Sequence, residues 1–330
     1  MTVTGDDRIT AKLSHPSNKY PLSPQLARLL DRYRGRSVAD AVGGQMSEVG
    51  CGRCCIIERC APVGTALPPK KRATESLLSE LRLLFGIGTE YDRRLREQGY
   101  GSIPSLLSHP RFAGPAADLL EDWSEPLDPV RVNATLSTWL PASHPLFLQL
   151  LSLVPYERIL FFDLETLGLF GVPIVLAALG QPGAAEIRIT QYLACSIDEE
   201  VALLEGVGEA LSQASLILSY NGKSFDWTYL RERFAYYGLR FDYSPIHIDL
   251  LHHARRAYRD LLPDVRLGTI EQRVLGVGRT EDLPGEAVPE YYERYLRSGN
   301  PGPLVPIINH NQQDVATLAL LLENLLSSHR

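Results

Sequence analysis

No stretch of the 330-residue chain approaches the roughly 20 consecutive apolar residues that a membrane-spanning helix requires. The first residues, MTVTGDDRIT, also lack the basic and then apolar pattern of a secretory signal peptide. We therefore expect a cytoplasmic protein that has no membrane partner. Structural disulfides are rare in that compartment, so we expect the five cysteines to be reduced.

A strong excess of positive charge is absent as well, since the formal net charge is −6. A global sum can hide local patches. Residues 70–112 carry eight basic and five acidic side chains, and residues 252–279 carry six basic and three acidic ones. These segments are either solvated faces or local surfaces for a polyanion.

A second pair of cysteines, the usual completion of a zinc site, is also missing. Four cysteines lie in the segment CGRCCIIERC (Cys51, Cys54, Cys55 and Cys60), and the fifth is Cys195. A C-x-x-C pair can bind zinc or an iron–sulfur cluster. The same segment is also typical of a strand in which cysteine is a small buried apolar residue.

The order of predicted elements divides the chain into three regions. Residues 1–73 form an N-terminal irregular and strand region, residues 74–150 a helical region, and residues 151–330 an alternation of strands and helices. No internal repeat or low-complexity tract interrupts them. The third region has the element order of an α/β fold.

The helical region has a Gly86-Ile-Gly88 turn, which ends the helix expected over TESLLSELRLLFGIG. Helix, G-I-G turn and helix resemble the helix-hairpin-helix modules of DNA repair proteins. That resemblance implies phosphate contacts by the hairpin and by Arg93, Arg94 and Arg96 nearby. A purely structural helical subdomain is the alternative.

Two acids interrupt the apolar run RILFFDLETLGL. Ile159 to Phe162 favours a strand, in which residues two apart point to the same face. Asp163 and Glu165 are therefore expected side by side, and their repulsion calls for a divalent cation such as Mg²⁺. A frayed strand end with both acids in water is the alternative.

Three further polar positions follow predicted elements. In SYNGKSFDWTYL, Asp226 lies at the start of a helix, where a simple N-terminal cap is the alternative function. In NHNQQDVATLALLL, His310 precedes Asp314 by four residues, so both share one helix face; charge at a helix end is the alternative there. Asp249 ends the strand IHID.

Taken together and in this order, the motifs D-x-E, N-x-x-x-F-D and H-x-x-x-D resemble the DEDD exonuclease superfamily. The segments HIDLLHHARR, RLGTIEQRVLG, RTEDLPGEAVPEYYERYL and HNQQDVATLALLL resemble its YprB-type branch over roughly residues 155–330. The resemblance implies an α/β fold: an RNase H-like mixed sheet flanked by helices, with a smaller, mainly helical N-terminal region.

The resemblance also implies a metal-dependent 3′–5′ exonuclease with two Mg²⁺ or Mn²⁺ ions. Its metal ligands would be Asp163, Glu165, Asp226 and Asp314. His310 would be the general base, although it stands four residues before Asp314, where one subgroup has tyrosine; the subgroup with histidine has it five before, and here that residue is Asn309.

Thr166, Leu167 and Asn221 would contact the terminal nucleotide. The expected partner is nucleic acid, with single-stranded or 3′-end DNA favoured. An exoribonuclease and a non-catalytic nucleic-acid-binding protein of RNase H-like fold are the alternatives, and the sequence indicates no oligomeric state.

Overall fold

The computed structural model describes residues 23–279 and 283–328. The first 22 residues of the predicted N-terminal region lie outside the described residues, as do residues 280–282 within the segment RTEDLPGEAVPEYYERYL. Within the described ranges, no helix is both long and apolar enough to cross a membrane.

The centre of the molecule is a seven-stranded mixed sheet with the order β1-β2-β5-β4-β3-β6-β7. The strands are β1 (Gln45–Val49), β2 (Gly52–Ala61), β3 (Ile159–Thr166), β4 (Ile174–Pro182), β5 (Ile187–Leu193), β6 (Leu216–Ser219) and β7 (Ile246–Asp249). The neighbouring strands β1, β2, β5, β4 and β3 pair antiparallel in that order. β3 pairs parallel with β6, and β6 pairs parallel with β7.

Helices cover both faces of the sheet. They are α1 (Pro24–Arg32), α2 (Val38–Val42), α3 (Lys70–Leu78), α4 (Thr89–Glu97), α5 (Ala113–Trp123), α6 (Pro129–Trp139), α7 (Leu146–Gln149), α8 (Glu200–Ser212), α9 (Asp226–Tyr236), α10 (Leu250–Tyr258), α11 (Leu267–Ile270), α12 (Val288–Ser298) and α13 (Leu304–Ser327). The predicted α/β fold is confirmed, because this mixed sheet lies between helices.

Alternation along β3 distributes its side chains between two cores. Phe161 packs with residues of α13 such as Val315 and Leu318. Phe162 and Leu164 belong to a separate core on the other face, which α8 and α9 complete. Residues two apart in a strand share a face, so Asp163 and Glu165 lie on the same side of β3 as Phe161. This side faces α13.

The N-terminal strands are part of this sheet, because β2 pairs with β5 along seven residues, from Cys55 with Leu193 to Ala61 with Ile187. The strand predicted over RCCIIERC is thus confirmed. Cys54 and Cys55 are fully buried, as small apolar residues are. The described ranges contain no group of three or more His, Cys, Asp and Glu side chains placed to hold a metal ion.

The helical region differs from the sequence prediction in its first helix. α3 begins at Lys70 after Pro69 and ends at Leu78, and Leu81–Leu83 form a separate 3₁₀ turn. The helix ends early because the Glu80 carboxylate accepts hydrogen bonds from both the backbone and the guanidinium of Arg82. That local pairing competes with helical hydrogen bonds.

The predicted division into three regions stays a prediction. In the structure, the apolar side chains of the helical region and those under the sheet form one continuous core, which includes Leu77, Trp123, Leu148, Phe161 and Leu322. The helical region is therefore packed against the α/β region.

Candidate active site at the carboxyl end of the central strand

β3 presents Asp163 and Glu165 on one face, as the alternation of a strand requires. Leu164, between them, packs into the core on the other face with Ala177 and Leu203. Glu165 is buried, and Asp163 accepts a hydrogen bond from Asn311 of α13 at 2.7 Å. The two acids therefore point inward, and the alternative of a solvated, frayed strand end does not describe them.

Asp226 reaches the same place from α9. It is the first residue of the helix, Phe225 is the cap residue, and the Asp226 carboxylate accepts the backbone N–H of Leu164 at 3.2 Å. It is thus not a simple N-terminal cap. Its carboxylate bonds the backbone between Asp163 and Glu165.

A tight turn between β6 and α9 places Asp226. Asn221 has a left-handed backbone with φ +63°, which asparagine tolerates better than most residues. A side chain at Gly222 would put its Cβ 2.4 Å from Ser219 Oγ, so only glycine fits. Asp249 holds this turn from β7 by accepting the N–H groups of Asn221 at 2.8 Å and Lys223 at 3.3 Å.

α13 contributes His310 and Asp314 one helical turn apart. His310 Nε2 lies 3.6 Å from Asp314 Oδ2 and 4.0 Å from Glu165 Oε1. The structure therefore brings together five predicted residues from three elements: Asp163, Glu165, Asp226, His310 and Asp314.

Asn311 was not predicted from the sequence. Its amide donates to Asp163 Oδ2, and its Oδ1 accepts from Gln191 Nε2 of β5 at 2.8 Å. Gln191 also donates to the Ile308 carbonyl at 2.9 Å, and both amides are fully buried. One sequence feature could have indicated Asn311: it lies three residues before Asp314 in an apolar helix, so both side chains share a helix face.

Arg279 was also missed, because the sequence showed it only as one residue of a weakly basic segment. Its guanidinium forms ion pairs with Asp314 and with the buried Glu271, and its Nη1 lies 3.0 Å from His310 Nδ1. A guanidinium only donates, so Nδ1 is the acceptor and a neutral His310 ring carries its proton on Nε2.

Burial and mutual repulsion dominate the electrostatics of the carboxylates. Burial, joined by the charges of Asp314 and Asp226, raises the pKa of Asp163 and of Glu165 well above the usual range. Burial likewise raises the pKa of Asp226 to about 7. The pKa of Asp314 is also raised by burial, although His310 and Arg279 oppose the shift.

The donor chemistry of this cluster fits a divalent cation, because buried carboxylates that repel one another are stabilised by positive charge and are the ligands that Mg²⁺ and Mn²⁺ prefer. Among the described residues, however, no three of these side chains are arranged as a metal site. In this arrangement Arg279 pairs with Asp314, and Asn311 bonds Asp163.

The residues expected to contact the terminal nucleotide lie at the ends of β3 and β6. Thr166 ends β3, and its hydroxyl donates to the Gly168 carbonyl at 2.6 Å. Leu167 follows and is partly buried, whereas Asn221 is exposed. Their contact with a nucleotide stays a prediction.

The three arginines of the helical region lie on α4 and are ion-paired there. Arg93 pairs with Glu90 and Glu97, Arg94 with Glu90, and Arg96 with Asp92. Arg96 also donates to the Ser79 carbonyl at 2.6 Å. Phosphate contact by these side chains stays a prediction.

The raised carboxylate pKa values predict a pH dependence of stability in the absence of metal. Folded Asp226 has a pKa of about 7 against an ordinary 3.8, so the folded state holds a proton that the unfolded chain releases. This stabilising contribution is fully present below the ordinary pKa and is lost as pH rises through the folded pKa. In chelator, the free energy of unfolding of Asp226→Asn should fall less than that of the wild type between about pH 4 and 7, measured by urea unfolding.

Asp260→Asn is the control, since that carboxylate is 85% exposed. Equal pH dependence in the Asp226 variant and the wild type would contradict the prediction.

Comparisons with known proteins agree with this fold. The family model of the RNase H superfamily termed RNase_H_2 matches residues 160–326. The uncharacterized protein YprB of Bacillus subtilis (strain 168) is 36% identical over 170 residues, which are 50% of this chain and 41% of that protein. The chain thus matches less than half the length of this curated relative.

A solved structure, the family B DNA polymerase from the hyperthermophilic archaeon Pyrobaculum calidifontis, aligns with 20% identity and a TM-score of 0.42. The alignment covers 51% of this chain and 24% of the polymerase. The family model, by contrast, spans half of the chain and includes all four carboxylates and His310. The chain belongs to the RNase H superfamily.

Proposed function

We propose that this protein is a metal-dependent 3′–5′ exonuclease that hydrolyses phosphodiester bonds of nucleic acid, with DNA as the favoured substrate. Membership of the RNase H superfamily supports nuclease activity, and nucleases of this kind generally use divalent metal ions. One observation carries the proposal: four carboxylates, two of them buried and two half-buried, converge with a histidine from β3, α9 and α13 on one end of the sheet.

Each carboxylate has a proposed place in holding two Mg²⁺ or Mn²⁺ ions. Asp163, Glu165, Asp226 and Asp314 would hold the ions. When bound, the ions would supply Lewis-acid stabilisation of the attacking and leaving oxygens. Asn311 keeps the Asp163 carboxylate oriented through its 2.7 Å hydrogen bond.

His310 is the proposed acceptor of the proton from the attacking water. In the structure its Nδ1 accepts from Arg279, so Arg279 must release that nitrogen before it can take up a proton. The same movement frees Asp314. Arg279 therefore acts as an internal counter-ion that stabilises the resting cluster and must leave it for catalysis.

The loop after β3 supports contact with a terminal nucleotide. Leu169 and Phe170 at its tip are 67% and 85% exposed, beside the predicted contact residues Thr166 and Leu167. The neck of the loop is held by Tyr229, whose hydroxyl bonds both the N–H and the carbonyl of Val172. Exposed apolar side chains on a loop anchored in this way are suited to packing against a base.

The activity is tested on oligonucleotides labelled at the 5′ end, as single- and double-stranded DNA and RNA, with Mg²⁺ or Mn²⁺. We expect stepwise shortening from the 3′ end with release of mononucleotides, abolished by chelation and by Asp163→Asn. The variant should fold, because it removes one charge from a repulsive cluster. Full activity of Asp163→Asn in excess chelator would contradict the metal mechanism.

Endonucleolytic products, or shortening from the 5′ end, would contradict the 3′–5′ polarity. Cleavage of RNA but not of DNA would identify the exoribonuclease alternative.

His310→Ala should lower single-turnover cleavage by roughly 10²–10⁴-fold, the usual scale for loss of a general base. Binding of an oligonucleotide should change little, because the imidazole is not among the proposed metal ligands. The wild-type rate should fall on acidification, because a protonated imidazole accepts no proton, and the residual rate of the alanine variant should lack that dependence. His310→Tyr is the informative companion. An alanine variant with wild-type rate and pH profile would place the base elsewhere.

The helical region is proposed to bind the nucleic-acid backbone through Arg93, Arg94 and Arg96. Exposed ion pairs contribute little, so these guanidinium groups can exchange carboxylates for phosphates. Replacing all three by glutamine should reduce the slope of log affinity against log salt by roughly one per lost contact. Arg240→Gln is the control, since Arg240 is 89% exposed and paired with Asp242. An unchanged slope in the triple variant would leave these arginines a structural role only.

A further inference from the structure

A cavity of about 450 Å³ opens beside His310, between α1 and the first turns of α13. Arg32 and Tyr33 at the end of α1 line one wall, and Asn309, His310 and Arg279 line the other. α1 lies outside residues 160–326, which match the superfamily model. The N-terminal region therefore adds a wall of its own next to the carboxylate cluster.

Two arginines, Arg32 and Arg279, line this cavity. Arg279 is paired with Asp314 and Glu271, so Arg32 is the cation of the lining that the proposal uses. Arg59 is not part of the lining but bonds Asn309, which is. Among the described residues its guanidinium donates to neutral oxygens: Asn309 Oδ1 at 3.1 Å, Gln312 Oε1 at 2.6 Å and the Val42 carbonyl at 2.8 Å. The Arg32 guanidinium carbon lies over the Tyr33 ring, 5.5 Å from the ring centroid. A cavity with this lining attracts an anion.

Tyr33 supplies a second donor at the cavity. Its ring is largely buried and lines the cavity. Its hydroxyl oxygen is not among the buried polar atoms of the described residues that lack a partner, so it is open to the cavity. In the described ranges no residue hydrogen-bonds this hydroxyl, which can therefore donate to a ligand. The Tyr33 phenol also lies close enough to the Arg59 guanidinium to interact with it electrostatically.

We propose that this cavity binds a phosphate group, with Arg32 and the Tyr33 hydroxyl as donors and Arg59 as the supporting charge. A guanidinium fork matches phosphate oxygens in charge and geometry. The inference rests on the proposed function in one respect: because His310 lines the same cavity, the phosphate is either one of the bound strand near the scissile bond or that of a released nucleotide.

The test compares Arg32→Glu and Tyr33→Phe with the control Arg34→Glu. Arg34 lies two residues from Arg32, is 80% exposed in its side chain, pairs with Asp31 and does not line the cavity. All three are made in the Asp163→Asn background, so that binding is read without turnover. Matching thermal unfolding of the two charge reversals shows that any difference in binding is not a loss of fold.

Binding is measured by fluorescence anisotropy of a single-stranded oligonucleotide over a salt series, and by calorimetry with inorganic phosphate and a deoxynucleoside 5′-monophosphate. Arg32→Glu should weaken at least one of these ligands by roughly tenfold or more, the scale of one charged hydrogen bond. Tyr33→Phe should weaken the same ligand less, and Arg34→Glu should leave it unchanged. For the oligonucleotide, Arg32→Ala should reduce the slope of log affinity against log salt concentration by about one.

Two further arms identify the source of the phosphate. If it belongs to the strand, one uncharged methylphosphonate linkage near the 3′ end should abolish the difference between Arg32→Ala and its parent. If it belongs to a free nucleotide, the monophosphate and inorganic phosphate will depend on Arg32 while the oligonucleotide will not. Either result supports the site. Both are binding measurements, so they remain valid if the protein has no nuclease activity. Equal affinities of Arg32→Glu, Tyr33→Phe and their parent for all three ligands would overturn the proposal.

Discussion

Repulsion among buried carboxylates is the constraint around which this protein is arranged. Asp163 and Glu165 are forced together by the alternation of one strand, and Asp226 and Asp314 come close enough to raise their pKa values further. An isolated buried charge is among the most destabilising groups in a protein. The surrounding structure supplies partial compensation through the Asn311 amide, the Leu164 N–H and the Arg279 guanidinium.

This compensation links the site to distant parts of the chain. Asn311 is itself held by Gln191 of β5, so the orientation of Asp163 depends on the packing of α13 across the sheet. Arg279 is shared between Asp314 and Glu271, and Glu271 is bonded by Thr317 of the same helix as Asp314. The cation is therefore tethered beside the cluster and can neutralise it when no metal is bound. A guanidinium in this position explains how four acids are tolerated in the metal-free fold.

The N-terminal region takes part in both the sheet and the site. β1 and β2 extend the sheet beyond β5, and Arg59 of β2 reaches Asn309 and Gln312 at the edge of α13. α1 then closes a cavity beside His310. These segments lie outside the part of the chain that matches the RNase H superfamily, so they are where substrate contacts particular to this protein are expected.

Local spacing predicted the α/β class, the strands of the RNase H-like region and the local pairs of Asp163 with Glu165 and His310 with Asp314. That these residues form one site with Asp226 was implied only by the resemblance to the DEDD superfamily. Alternation places Asp163 beside Glu165, and helical periodicity places His310 over Asp314; both rules act within a few residues. Tertiary structure alone decided the pairing of Asn311 with Asp163, 148 residues apart, and of Arg279 with Asp314, 35 residues apart. It also decided that Arg32 and Tyr33 would face His310. No local pattern encodes such contacts, because they depend on how the helices pack on the sheet after the strands have paired.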